Sequence, residues 1–491
     1  GFDAEIDPAA AAAYLRYLYV PAPQSILSGA SKLAAGHILT IRDPLNPPPP
    51  ASAYWSIENV ALAGRAEPFV GDDNDAVAEL DSLLREAVSL RMRADVPVGA
   101  FLSGGIDSSL VVALMQQCTT APVRTFTIGF EEQRWDETPY AERVARHIGT
   151  SHTTVSLTAQ DSLALVQRLP AIFDEPLADP SQLPTFLISQ VARKDVTVAL
   201  CGDGGDELFA GYNRYRRGAS LIARASGTPR WLRTRVGQAM ASTSSQNWDR
   251  SISHLTSLFP SLGILQLSGD RAHKVAAVLG AGSAESMYRG LLSQWQKPRA
   301  VVNADERPDA VSHVFSMPDK LSLLDRMMLC DQMSYLPDDL LAKVDRASMA
   351  VGLEVRVPIL DHRVAEFSWR LPDRMRLRQD ASKWILRRVL DKYVPRHLVD
   401  RPKMGFSVPI NEWLRGPLRR WADDLLYGID ERKDHLLNGA AVVAQWNGFK
   451  AGRNHYGMAI WAVLMLEAWR THWLQQPQIG RPRVRTMAGR I

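Results

Sequence analysis

The sequence predicts an α/β fold in which a parallel sheet carries helices on both faces. Short apolar runs at 96–102, 123–130, 153–157 and 196–200 alternate with helix-like runs at 108–117, 137–148 and 182–193. That alternation marks βαβ units, whose strands are parallel and covered on both sides. Three unusual loops, S-G-G-I-D-S at 103–108, G-F-E-E-Q-R-W-D-E at 129–137 and C-G-D-G-G-D-E at 201–207, fall at the carboxyl ends of those runs. Open sheets of this kind bind their ligands at that edge. The length of 491 residues exceeds one ordinary core and predicts two or more domains.

The elements follow in order. Residues 1–60 predict a helix from Pro8 to Leu18, then short strands and turns around 36–42 and the four prolines at 47–50. This is too little for a core of its own, and it reads as the last part of a domain. Between Asp75 and Arg91 the residues Val77, Leu80, Leu83, Leu84 and Val88 recur at three- and four-residue spacing, which predicts an amphipathic helix. The alternating strands and helices come next. Residues 218–320 show helical patterning broken by Pro and Gly, and 321–349, 380–393 and 455–474 predict further helices. The domains are therefore 1–60, 61–476 and a short basic tail, 477–491.

Composition narrows the function. Fifty-seven basic and 53 acidic residues leave a net charge of +4, too balanced to argue for nucleic acid. Cys118, Cys201 and Cys330 have no C-x-x-C spacing, which argues against a disulfide framework or a zinc site and fits a reducing cytoplasm. His147 and His152 are given no metal role. No run of about 18 apolar residues predicts a membrane span. The most apolar stretch, 458–466, stops at Glu467 and reads as a buried helix.

The loop at 103–108 carries the first chemical signal. A Gly-Gly turn after a strand lets the backbone approach a ligand closely. The helix behind it adds free N–H groups and a positive dipole end, which together favour anions and phosphates above all. The plainer alternative is a tight turn capped by Asp107 or Ser108. No Gly-Lys follows, so the loop is not a Walker A motif, and it lacks the three-glycine dinucleotide fingerprint.

S-G-G-I-D-S-S at a strand-to-helix junction resembles the PP-loop of the ATP pyrophosphatase families, which adenylate a substrate oxygen and release pyrophosphate. Together with the 201–212 loop it resembles the asparagine synthetase (glutamine-hydrolysing) family. The runs 340–361, 382–387, 401–409 and 2–23 strengthen the match. The resemblance implies an N-terminal glutaminase-type α+β sandwich, of which 1–60 would be the C-terminal remnant, and a synthetase domain using ATP and Mg²⁺. Glutaminases of this family use a first-position cysteine, whereas this chain begins at Gly1 and its first cysteine is Cys118. Its expected nitrogen source is therefore ammonia rather than glutamine, with truncation the favoured cause.

Residue by residue, the resemblance implies that Leu102, Ile128, Cys201 and Gly202 line the adenosine site. Ser103, Gly104, Gly105, Asp107 and Ser108 would hold pyrophosphate, and Asp107 and Asp206 would bridge it through Mg²⁺. Asp203 stands where many members carry Glu, a position linked to forming the aspartyl adenylate. Lys403 is the expected catalytic lysine, and Lys383 is a further phosphate contact with a plain helix-surface alternative. Asp174 and Glu175 either orient substrate or make a turn. Asp345 and Arg346 read as a packing pair. Arg356 and Asp361 read as a structural clamp or as part of the aspartate site.

The expected reaction adenylates aspartate with Mg-ATP and amidates it with ammonia, in a cytoplasmic enzyme that binds neither nucleic acid nor membrane; a homodimer stays open. The alternatives are amidation of another carboxylate, such as a sugar acid, and a β-lactam-synthetase-like cyclisation, which a Tyr–Glu dyad would favour. A tRNA-modifying enzyme lacks the basic patch it needs. A non-catalytic nucleotide-binding scaffold is the rival of another class.

Overall fold

The computed structural model describes residues 4–43, 46, 48–130, 136–157, 164–242, 269–318, 320–378, 381–400, 408–429, 432, 435–453 and 456–474. The chain opens with helix α1 (Pro8–Tyr17), where the Asp7 side chain accepts from Ala9 N at 2.9 Å and Pro8 takes the first turn. A small antiparallel pair, β1 (His37–Ile38) and β2 (Ser52–Ala53), follows. Helix α2 (Asp73–Arg91) starts on a capping box between Asp72 and Asp75. Then come β3 (Val98–Phe101), α3 (Ile106–Gln117), β4 (Arg124–Phe130), α4 (Thr138–Ile148), β5 (Ser151–Leu157), α5 (Gln182–Ala192) and β6 (Val198–Leu200). Helix α6 (Ala342–Met349), strand β7 (Glu354–Arg356), helix α7 (Trp384–Leu390) and helix α8 (Gly457–Trp473) complete the frame.

All five central strands are parallel, in the order β5-β4-β3-β6-β7. Side chains alternate across the sheet, and each set has its own core. Ala100, Val198 and Leu200 pack with Leu84, Leu110, Val144 and Ile385 of α2, α3, α4 and α7. Phe126, Ile128 and Ala199 pack with Phe186, Ala347 and Trp461 of α5, α6 and α8. The sheet is therefore covered on both faces, as the alternating runs predicted. Helix α8 is buried along most of its length, and no helix of the described residues is long and apolar enough to cross a membrane.

The chain leaves β3 toward β4 on one side and later returns to β6 on the other. The loops after β3 and β6 diverge at that switch point and frame a crevice, where ligands of such sheets bind. Two elements differ from the sequence reading. Strand β7 is an unpredicted fifth strand at the edge. The single helix expected over 321–349 is α-helical at Leu323–Cys330, π-helical at Asp331–Leu341 around Pro337, and α-helical again in α6. Proline removes one backbone donor and crowds the preceding turn, so a wider turn fits there. The described part of 218–320 is helical in several short pieces, including Ala219–Ser226 and Ala284–Leu292.

Candidate active site

The crevice opens into a cavity of about 510 Å³. Its first wall is the turn after β3. Gly104 sits there at φ +73°, and an added Cβ would meet the backbone of Tyr140 and Ala141 at 2.6–2.7 Å, so the position needs glycine. Gly105 then starts α3, and no side chain caps that helix. Its first-turn N–H groups remain for a ligand. The Ser103 and Ser108 hydroxyls lie 3.0 Å apart and tie the turn to the helix.

The second wall is the acidic loop after β6. There the Cys201 thiol donates to Asp203 Oδ2 at 3.0 Å. Burial, reinforced by the Asp203 charge, pushes that thiol well above its usual range. Glu207 is buried and accepts the Tyr212 hydroxyl. Burial first, and the neighbouring Asp206 second, push its carboxyl up to about 7.

Lys383 joins the two loops. Its residue lies in the left-handed region, φ 53°, at the start of α7. Its ammonium bonds to Asp107 and lies 2.7 Å from Asp206 Oδ1. Burial alone would lower its pKa, but the two carboxylates outweigh that and hold the ammonium charged, above the ordinary lysine range. Gly211 makes the arrangement possible, because a Cβ there would fall 1.9 Å from Asp206 Oδ1 and 2.1 Å from Lys383 Cε.

Of the residues singled out by sequence, Leu102, Ser103, Gly105, Asp107, Ser108, Cys201, Gly202, Asp203, Asp206 and Lys383 all line this one cavity. Gly104 lies just behind it against Tyr140, and Ile128 is buried in the α5–α8 core, so neither is on the wall. Lys403 lies outside the described residues. Asp174 and Glu175 are not on the cavity wall. Asp174 pairs with Arg346 at 3.1 Å and Glu175 with Lys32 at 2.6 Å, the latter tying down the N-terminal segment. Asp345 also pairs with Arg346, at 2.9 Å. Arg356 donates to Arg91 O and Arg93 O, both at 2.8 Å, and Asp361 pairs with Arg91 and Arg363, each at 2.9 Å. Those two form a clamp on α2 away from the cavity.

The cavity also uses residues that sequence reasoning missed. Lys343 bonds to Asp179 Oδ2 at 3.0 Å and Ser181 Oγ at 2.7 Å, and all three stand on the wall with Tyr335. Lys343 sits inside the 340–361 run, but nothing in that run separates a site lysine from a surface one.

A magnesium ion suits the donor set. Mg²⁺ takes hard oxygens and is held by one or two carboxylates together with substrate phosphates. Asp107 and Asp206 converge beside the uncapped helix, and the Lys383 ammonium between them shows that a cation is favoured there. Among the described residues no group of three His, Cys, Asp or Glu forms a metal centre by itself.

The family model for asparagine synthase matches residues 79–471. The chain belongs to the asparagine synthase family. A putative glutamine-hydrolysing asparagine synthetase of Mycobacterium tuberculosis is 32% identical over 488 residues, which is 98% of this chain and 70% of that protein. The glutamine-hydrolysing asparagine synthetase 1 of Bacillus subtilis is 29% identical over 95% of this chain and 69% of its own length. The amidase chyE of Penicillium rubens is 25% identical over 81% of this chain and 61% of its own length. Membership in the asparagine synthase family accounts for the parallel sheet and for the pairing of a PP-loop-like turn with a glycine-rich acidic loop.

Proposed function

We propose that the chain is the ATP-dependent synthetase part of an asparagine synthetase. The observation that carries this is the joining of the β3 and β6 loops by Lys383 at one 510 Å³ cavity, beside an uncapped helix start. In this reading an aspartate side-chain oxygen attacks the α-phosphorus of ATP. The bond to the β-phosphate breaks and pyrophosphate leaves. Ammonia then attacks the activated carbonyl carbon, AMP leaves, and asparagine forms.

The residues divide the work by chemistry. Leu102, Cys201 and Gly202 provide the less polar wall for the nucleoside. Ser103, Gly105, Ser108 and the first turn of α3 receive the departing phosphates. Lys383 neutralises charge as it grows on them, which is the largest help a site can give such a leaving group. Asp107 and Asp206 would hold Mg²⁺, which supplies Lewis-acid neutralisation of the phosphate oxygens. The Cys201 thiol fixes Asp203 toward the acceptor. Lys403 is assigned the α-phosphate, a task suited to a compact point charge.

A second reading, ring closure onto an amine within the substrate, is favoured by the Tyr212–Glu207 pair on the cavity wall. Two assays separate the readings. Aspartate-dependent pyrophosphate release that yields asparagine with ammonium supports amidation; release that needs a substrate amine and ignores ammonium supports ring closure. Asp107→Ala decides against a mere scaffold: pyrophosphate release should fall by at least about a hundredfold, the scale of removing a charge-stabilising group, with the far-ultraviolet circular dichroism of the folded chain preserved.

A further inference from the structure

One helix outside the cavity wears apolar residues on its outer side. Helix Arg230–Ser242 packs its inner face on helix Gly269–Gly280. The approach is close, because a Cβ on Gly237 would fall 2.8 Å from Ala276 O and 3.2 Å from Gly280 N. Arg233 is buried on the same inner face and donates to Ala281 O at 2.5 Å and to Gly282 O at 3.3 Å. At about 100° per residue, Trp231, Leu232, Arg235 and Val236 fall within one arc of about 140° on the opposite side. All four are exposed, with Trp231 at 63%, Leu232 at 41% and Val236 at 44%. A surface helix ordinarily turns such residues toward the core. An exposed apolar patch with a polar rim marks a contact surface instead.

The charge around this face has one sign. Residues 208–248 contain seven arginines and no aspartate or glutamate. Arg214 is spent on Asp331, and Arg233 on the two carbonyls. Arg217, Arg224, Arg230 and Arg235 are exposed, and none forms an ion pair among the described residues. The Arg235 guanidinium instead lies 5.9 Å from the Trp231 ring centroid. Arg230 lies over the turn at Gly282, and the first acid beyond that turn, Glu285, is already paired with Arg289 at 3.0 Å.

Two kinds of anionic surface answer exposed arginines. Nucleic acid would use the charge through its phosphates and leave Leu232 and Val236 without a partner. A bilayer with anionic head groups uses both features. Its phosphates meet the arginines, while Trp, Leu and Val enter the boundary with the acyl chains. A helix that lies in the interface needs no spanning length. The expectation of no membrane contact rested on the lack of a long apolar run, and so does not reach this helix.

We propose that helix Arg230–Ser242 is an interfacial anchor that lays the protein on an anionic lipid surface, with Trp231, Leu232 and Val236 in the head-group region and Arg230 and Arg235 on lipid phosphates. The inference does not depend on the reaction proposed above.

The test is sedimentation of the whole chain with vesicles of phosphatidylcholine alone, or of phosphatidylcholine with about one third phosphatidylglycerol. Binding should be at least about tenfold tighter to the anionic vesicles and should weaken as salt is raised. Arg230→Gln with Arg235→Gln should weaken it about twenty-fivefold, or about fivefold for each charge removed from the surface. Trp231→Ser with Leu232→Ser keeps every charge and should weaken it at least about tenfold. Both pairs change exposed side chains, so far-ultraviolet circular dichroism should match the wild type. If the serine pair disturbs the fold, Val236→Ser is read in the same way. A wild type that ignores anionic vesicles overturns the proposal. Serine variants that bind like the wild type overturn it too, because the contact is then charge alone. Binding to duplex DNA that the arginine variant loses, with no binding to vesicles, assigns the face to nucleic acid and overturns the lipid anchor.

Discussion

Lys383 concentrates the chemistry of the site on one residue. It lies 276 positions from Asp107 in sequence, yet its ammonium bonds to that carboxylate and to Asp206. Lys383→Met would leave the two carboxylates facing each other with no cation between them. Breaking one side of a buried charge group costs about 3–5 kcal/mol, so the melting temperature should drop along with pyrophosphate release. Gly211→Ala separates the two effects. Its Cβ displaces Asp206 and Lys383 locally, so activity should fall at least tenfold while far-ultraviolet circular dichroism stays unchanged. At this scale the sequence was readable where a residue sat in a marked loop, as Asp107, Asp203 and Asp206 do. Asp179, Tyr335 and Lys343 were not readable, because they reach the cavity from helices and turns whose local sequence looks like any other.

The strands and helices that frame the site were legible because their apolar periods are strong. Val198 and Leu200, for example, mark the buried strand β6. Strand β7 escaped because Glu354 and Arg356 leave it one apolar residue, and its pairing with β6 is a long-range event that no local pattern announces. The π-helical segment Asp331–Leu341 escaped because its apolar residues are too few over eleven positions to define a period, and Pro337 marks a break in a helix without saying which wider turn takes it up. Asp361 belongs to this scale. It caps the helix His362–Arg370 by accepting from Arg363 N at 3.1 Å, and it pairs with Arg91 of α2. Burial would raise its pKa, but Arg363 and Arg91 overcome that and hold it at about 2. Because the folded value lies below the ordinary carboxyl value of about 4, its stabilisation is complete above that pH and fades as pH falls toward 2. Asp361→Asn should therefore cost about 1–3 kcal/mol in urea melts at pH 7 and progressively less as the pH falls from about 4 toward 2.

The N-terminal segment and the C-terminal helices share one core. Tyr14 of α1 is fully buried and its hydroxyl donates to Ala462 O of α8 at 2.8 Å. Trp295 adds a bond to Ala459 O at 2.7 Å. The sequence showed that residues 1–60 have too few apolar residues for a core of their own. It could not show where those residues go, because the partner helix lies more than four hundred residues away. Tyr14→Ala should lower the stability of the whole chain by about 3–5 kcal/mol, seen as one earlier melting transition rather than the loss of a separate one.

The most direct test of the central claim measures AMP and asparagine made by this chain from ATP, Mg²⁺ and aspartate, with ammonium chloride or glutamine as the nitrogen source. Equal amounts of AMP and asparagine from ammonium are the predicted result. ATP binding without any aspartate-dependent AMP under either condition would contradict the account.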